Sequence, residues 1–372
     1  ASSRTIRDCI APHHAQPAMP FLTLDGAHVR SSLSLFVVTM FGTLACQKSL
    51  PPTPDVPPPA VVPASAAMTE ACAHDSSWMA PQAPFRIFGN TWHVGPRGPR
   101  VSLITAPTGH VLIDGGVPGG APLIEANIRT IGINPRDIKW ILVSHAHCDH
   151  AGDVARLAST TGADVIAGTG HVALLARGGK DDPQYGDRFP YPAVTVTRPV
   201  TGGEQLRLGE LVLTAHVTPG HTQGNTTWTW KSCENGRCLD LVDVGSLSAP
   251  DYQLVGNAKH PDLIQDYEAS FAKVAALPCD IALAPHPGMV DFWERIARRD
   301  KGEVGALTDP TLCRAYAEYA REGFRDALAK QRLQALVEHV SFAQRDKQRH
   351  ERRPAEHLDV DDEAVQHLGL RL

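Results

Sequence analysis

The sequence predicts a mixed α/β fold in which two β-sheets pack between helices, and three observations carry that reading. Between Trp78 and Leu328, short apolar runs of strand length alternate with amphipathic stretches of helical period. That interval of roughly 250 residues suits one large domain. Hydrophobic residues make up 42% of the 372 and charged residues 20%, proportions that disfavour both a disordered chain and a multi-span membrane protein. The balance of 35 basic against 40 acidic side chains, net -5, does not steer a protein towards a phosphate backbone, so nucleic acid is not an expected partner.

In chain order, residues 1–18 lie upstream of Met19, the start expected for the native chain, and carry no functional reading. Residues 19–46 read as an export signal. Arg30 precedes the apolar run from Leu33 to Ala45, which falls short of the ~20 residues needed to span a bilayer. Thr43-Leu44-Ala45-Cys46 resembles the lipobox of bacterial lipoproteins, with Thr43 where Leu is preferred. The expected location is therefore the periplasm, with a lipid anchor at Cys46 as the only membrane attachment, or a soluble form after signal cleavage. Residues 47–76 form a linker, since the prolines between Leu50 and Pro63 forbid helix and central strand. The domain proper spans 77–330.

Within it, strands are expected at 85–94, 101–105, 110–113, 140–143, 212–217, 226–231 and 239–244, where β-branched, aromatic and aliphatic residues run short or alternate. Helices are expected at 122–130, 154–161, 171–176, 263–276 and 313–329. Residues 331–372 read as a charged tail, because the stretch from Gln344 onward settles into no clear amphipathic period.

The strand ending at Val143 runs into Ser144-His145-Ala146-His147-Cys148-Asp149-His150, which places four potential metal ligands within six residues. Alternation along an extended segment puts His145 and His147 on one side, while Asp149 and His150, at the turn into a helix, face a second point nearby. Two cations fit this pattern better than one. Imidazole and carboxylate donors suit zinc, and iron and manganese are compatible with the same donors. Packing so many polar groups together is costly unless they are exposed or bind something, whereas lone histidines such as His171 and His260 are read as ordinary surface or core residues. Two further histidines sit at exposed turns, His221 in Thr218-Pro219-Gly220-His221-Thr222 and His286 in Ala284-Pro285-His286-Pro287-Gly288. Cys233 and Cys238 flank an Asn235-Gly236 hairpin signal that brings facing residues to bridging distance.

The histidine motif, followed by His221 and His286, resembles the metallo-β-lactamase superfamily, and within it the third subclass of class B β-lactamases. The likeness runs from about Ser77 to Leu328. It includes Leu112-Ile113-Asp114-Gly115-Gly116, Ala176-Arg177-Gly178-Gly179, Gly245-Ser246-Leu247-Ser248-Ala249-Pro250 and Leu277-Pro278-Cys279-Asp280. The resemblance implies an αβ/βα sandwich of two mixed sheets flanked by helices. It implies two Zn2+, one held by His145, His147 and His221, the other by Asp149, His150 and His286. Glyoxalase II and the lactonases of this superfamily carry a metal-bridging Asp in a Gly-Asp-Thr-Leu-like segment; here Ser246 stands in its place, which points to the third subclass.

By the same resemblance the zinc ions acidify a shared water for attack on a β-lactam carbonyl, and Asp149 orients that water as the catalytic residue. Ser246 and Ser248 approach the substrate carboxylate, and Asp114 supports a ligand histidine. The alternative on the same site is a lactonase or another hydrolase of the superfamily. Gly245 stands where some relatives carry Asp, and Asp243 is read as a supporting or structural residue. Cys279 and Cys313 lie at positions paired in relatives. Cys148 is expected to be a small buried residue and not a ligand, and Cys72 has no assigned partner.

Overall fold

A computed structural model describes residues 63–73 and 76–352. The signal, the lipobox and most of the proline linker lie outside the described residues. The chain divides into two units, 1–57 and 58–372, and everything described belongs to the second.

A seven-stranded sheet takes the first half of the domain. Its strands are β1 (Phe85–Phe88), β2 (Thr91–His93), β3 (Ser102–Ile104), β4 (His110–Ile113), β5 (Ile138–Val143), β6 (Asp164–Gly168) and β7 (Arg198–Val200), and they pair in sequence order. The pairs from β1 to β4 are antiparallel and those from β4 to β7 parallel. A five-stranded sheet takes the second half, in the order β12 (Ile281–Leu283), β11 (Arg237–Asp243), β10 (Thr226–Glu234), β9 (Leu211–Val217) and β8 (Gln205–Leu208). Only the β11–β12 pair is parallel in it. Both sheets are mixed, as expected of the αβ/βα sandwich.

Period-two alternation divides the core. Val111, Ile113 and Leu142 point between the sheets, where they join Leu213, Trp228, Trp230 and Leu241 from the second sheet. Leu112, Ile141 and Val143, one position along, point outward to Ile124 and Ile128 of α2 (Ala121–Thr130) and Leu157 of α4 (Val154–Thr161). Burial on both faces explains why β5 reads as the nearly unbroken apolar run Trp140-Ile141-Leu142-Val143. The second sheet is covered by α6 (Leu263–Ala275), whose Tyr267 and Phe271 pack on Phe324 of α8 (Leu312–Arg352).

Two expectations need correction. The single strand at 85–94 is a hairpin: Gly89, at φ +50°, turns the chain, and Ser232 takes the space a Cβ would fill, 2.5 Å from its ideal position. The last helix does not stop at 329 but continues to Arg352, with Leu333, Leu336, Val337, Val340 and Phe342 exposed along it. The strands β6 and β12 had no counterpart in the sequence reading because they span only five and three residues, and α7 (Phe292–Asp300), though amphipathic, was not anticipated either. Among the described residues, no helix is long and apolar enough to cross a membrane.

Candidate metal centre

β5 ends at Val143 and delivers the histidine motif into a loop followed by one helical turn, α3 (Cys148–Ala151). Asp114 holds this segment at both ends. It follows β4 in the left-handed region, at φ +66°. Its Oδ1 accepts the Ser144 N–H at 2.7 Å, its Oδ2 accepts the Ser144 hydroxyl at 2.6 Å, and Oδ2 also lies 2.8 Å from His150 Nδ1. The Ser144 carbonyl accepts the Thr226 N–H at 2.8 Å, tying the loop to the start of β10 in the other sheet. Asp114 thus touches both Ser144 and His150, at the two ends of the segment.

The second sheet supplies its histidines singly. His221 follows β9 through Pro219 and Gly220; Gly220 is at φ +137°, and a Cβ there would approach the Tyr267 ring to 2.8 Å. His221 Nδ1 lies 2.7 Å from the Ser248 carbonyl and 3.2 Å from the Tyr252 hydroxyl. His286 follows β12 and opens the short turn Pro287–Val290. Arg100 reaches this loop from the other sheet: its N–H bonds the Pro285 carbonyl at 2.9 Å, its guanidinium bonds the Ala284 carbonyl at 2.8 Å, and it pairs with buried Asp243 at 2.7 Å. Asp243 is thus the buried partner of Arg100 and stays out of the ligand cluster.

These segments converge. The donor atoms of His145, His147 and His221 lie within 4.8 Å of one another, and so do those of His145, Asp149 and His150. His286 Nε2 lies 3.1 Å from Asp149 Oδ2, and His150 Nε2 lies 3.2 Å from the same oxygen. All six expected ligands meet at one edge of the sandwich.

Burial and the two carboxylates set the charge of each donor. Burial first, then the neighbouring imidazoles, pushes His145 and His221 well below the usual histidine range, so both stay neutral and keep a lone pair. Burial opposes ionisation of Asp149, yet the charge of His150 and the hydrogen bonds of His150 and His286 hold its carboxyl well below the ordinary range. Burial also opposes protonation of His150, but Asp149 and Asp114 raise it from 6.5 to about 10. Two ring nitrogens of the cluster are buried without a well-aligned hydrogen bond: His147 Nε2, and His150 Nε2, which faces Asp149 Oδ2 at 3.2 Å. Orphaned buried nitrogens are costly. Imidazole and carboxylate donors packed this closely fit a divalent metal site.

Ser246 is buried, and its hydroxyl lies 3.1 Å from that of Ser248. The Ser248 carbonyl supports His221, a role no local pattern signals. Gly245 has no room for Asp: a Cβ there would lie 2.7–2.9 Å from the Asn225 amide, which bonds the carbonyls of Thr218 and Ser246 at 2.7 and 3.0 Å. His171 and His260 stay out of the cluster and bond Thr222 and Asp266, both at 2.7 Å.

The cysteines bring one correction. Cys233 is bonded to Cys238 and Cys279 to Cys313. Cys148 is buried but is not a free small residue, because it is bonded to Cys72, 76 positions earlier, and so joins α1 (Ala66–Cys72) to the ligand segment. No spacing rule pairs cysteines so far apart.

The sequence matches the metallo-beta-lactamase superfamily over residues 94–286. Among solved structures, the Rm3 metallo-beta-lactamase is 42% identical, covers 71% of this chain and 98% of its own, and superposes with a TM-score of 0.67. BJP-1, a subclass B3 metallo-beta-lactamase of Bradyrhizobium japonicum, is 33% identical, covers 70% and 98%, and has a TM-score of 0.66. Among curated proteins, hydroxyacylglutathione hydrolase of Anaeromyxobacter dehalogenans is 33% identical over 129 residues, 35% of this chain and 41% of that protein. The chain spans about half the length of the curated relatives it matches. A family match over more than half of the chain, and structural agreement over nearly the full length of two relatives, establish that this chain belongs to the metallo-beta-lactamase superfamily.

Proposed function

We propose that the protein is a β-lactamase of the third subclass that hydrolyses the amide bond of penicillins, cephalosporins or carbapenems with two zinc ions. His145, His147 and His221 hold one ion, and Asp149, His150 and His286 hold the other. The observation that carries this reading is the convergence of six donors from both sheets, five of them imidazoles, at one edge of the fold. When bound, the ions acidify a water for attack at neutral pH and polarise the lactam carbonyl.

The chain's own groups do the rest. Asp149 orients the attacking water and passes on its proton. Asp114 keeps Nδ1 of His150 occupied and turns Nε2 towards the site, as the Ser248 carbonyl does for His221. The paired hydroxyls of Ser246 and Ser248 meet the substrate carboxylate. Ser246 in place of a metal-bridging carboxylate favours this activity over a lactonase.

A chromogenic cephalosporin, assayed with and without EDTA, tests the reading. Cleavage abolished by the chelator and restored by zinc is expected. Chelator-insensitive cleavage overturns the metal mechanism, and cleavage of lactones with β-lactams untouched selects the alternative hydrolase. Residues 19–46 support export to the periplasm, with anchoring at Cys46 or release by signal cleavage; the intact mass of the mature protein separates the two.

A further inference from the structure

The neighbours of three ligand histidines decide which nitrogen each offers. Ser144 Oγ lies 3.1 Å from His145 Nδ1, Asp114 Oδ2 lies 2.8 Å from His150 Nδ1, and the Ser248 carbonyl lies 2.7 Å from His221 Nδ1. Each engages Nδ1 as an N–H donor and leaves Nε2 as the lone-pair nitrogen. His147 is turned the other way. Its Nδ1 lies 3.0 Å from His221 Nε2, while its Nε2 is buried without a hydrogen-bond partner. Because His221 Nε2 carries a lone pair, a second lone pair on His147 Nδ1 at that distance is repulsive until a cation stands between them. A proton on Nδ1 would remove the repulsion, and the ligand with it. Something must therefore bias His147 towards carrying its proton on Nε2.

Asp182 is placed to do so. It lies on the segment between α5 (Val172–Ala176) and β7, far from the histidine motif in sequence, with its Oδ2 3.7 Å from His147 Nε2. Its side chain is 5% exposed, and its other oxygen accepts the N–H groups of Gln184 and Tyr185 at 2.8 and 2.9 Å. Its backbone exchanges two hydrogen bonds with Gly186, each 3.0 Å. The carboxylate is thus fixed by a closed turn and not free to swing away. The 3.7 Å gap exceeds a direct hydrogen bond and is closed by a small rotation of the ring or by one water. A pocket lined by Asp182, Gln184, Arg177 and His221 adjoins the carboxylate.

We propose that Asp182 is a positioning residue for His147: its carboxylate favours the Nε2–H form by facing that N–H as an acceptor, and so leaves Nδ1 as the nitrogen offered to the cation shared with His145 and His221. This role rests on the metal-centre reading above.

The test is zinc affinity of the full chain, read by competition with a chromophoric chelator, for the unaltered protein, Asp182→Asn and Asp182→Ala. The Asn variant keeps an oxygen for the Gln184 and Tyr185 N–H groups but loses the charge facing His147. The expected result is one of the two zinc equivalents bound about 10–100-fold more weakly in both variants, with the other equivalent unchanged. The metal-free Tm is expected to fall for Asp182→Ala alone. In the zinc-loaded protein, 15N NMR of the histidine rings is expected to show His147 protonated at Nε2. Two zinc equivalents held as tightly in both variants as in the unaltered chain, or His147 protonated at Nδ1, overturns the role of Asp182 and leaves the metal centre standing. Equal weakening of both equivalents together with a lower Tm in Asp182→Asn assigns the residue to loop stability alone. An unaltered protein that holds no zinc tightly overturns the metal-centre reading and this role with it.

Discussion

The two sheets supply the metal centre in different ways. The first delivers His145, His147, Asp149 and His150 on one continuous segment, clamped at both ends by the single carboxylate of Asp114. The second delivers His221 and His286 from separate turns, each held by groups distant in sequence: the Ser248 carbonyl for one, and Arg100, reaching across from the other sheet, for the loop of the other. A contiguous motif is aimed by its own strand and a few local anchors, whereas dispersed ligands depend on the packing of the whole sandwich. Damage to the first sheet's segment should therefore register in metal binding and turnover, and damage to the second sheet's supports should register in stability.

The largest effect is expected at Asp149, where donor and proton acceptor coincide. Asp149→Asn should lower kcat on a chromogenic cephalosporin by about 10²–10⁴-fold, while Ser248→Ala should change it only a few-fold, since the bond to His221 comes from the backbone carbonyl. Comparable modest losses in steady-state assays of both would show that the roles are misassigned.

Next comes Arg100→Met, which leaves the Asp243 carboxyl buried without its partner and releases the Ala284 carbonyl. Thermal or urea unfolding should report a loss of roughly 3–5 kcal/mol. The double variant Arg100→Met/Asp243→Leu should recover part of that loss. A double variant as unstable as the sum of its singles would mean that the pair is not the coupling unit.

A smaller effect is expected from Asp114→Asn. One oxygen acceptor remains for Ser144, but the carboxylate facing His150 is lost, so zinc affinity should fall about 10–100-fold in a chelator titration. If that substitution instead left zinc binding intact while Arg100→Met abolished it, the contrast between the sheets would be reversed.

The histidine motif was legible because its donors are adjacent in sequence and a strand into a turn fixes where they point. His221 and His286 were legible as candidates by their Pro/Gly turns, and as ligands only through the family resemblance. Helices α2, α4 and α6 followed from their apolar period, since each buries one face on a sheet. The hairpin at Gly89 was hidden inside a run of strand formers, because its turn depends on Ser232 from a different sheet. The extension of α8 was missed because the charged residues from Gln344 onward dominated the reading of 331–372, although Leu333, Leu336, Val337 and Val340 recur at helical spacing along it.

Composition and local pattern by themselves determined a mixed α/β domain, the strand that feeds the histidine motif, and the chemical type of the donors, since these depend on neighbours a few residues apart. Tertiary structure alone decided that Cys72 bonds Cys148, that Arg100 braces the His286 loop, and that Asp182 faces His147. Those pairings join residues from 35 to 185 positions apart, at distances set by how the sheets stack and not by any period along the chain.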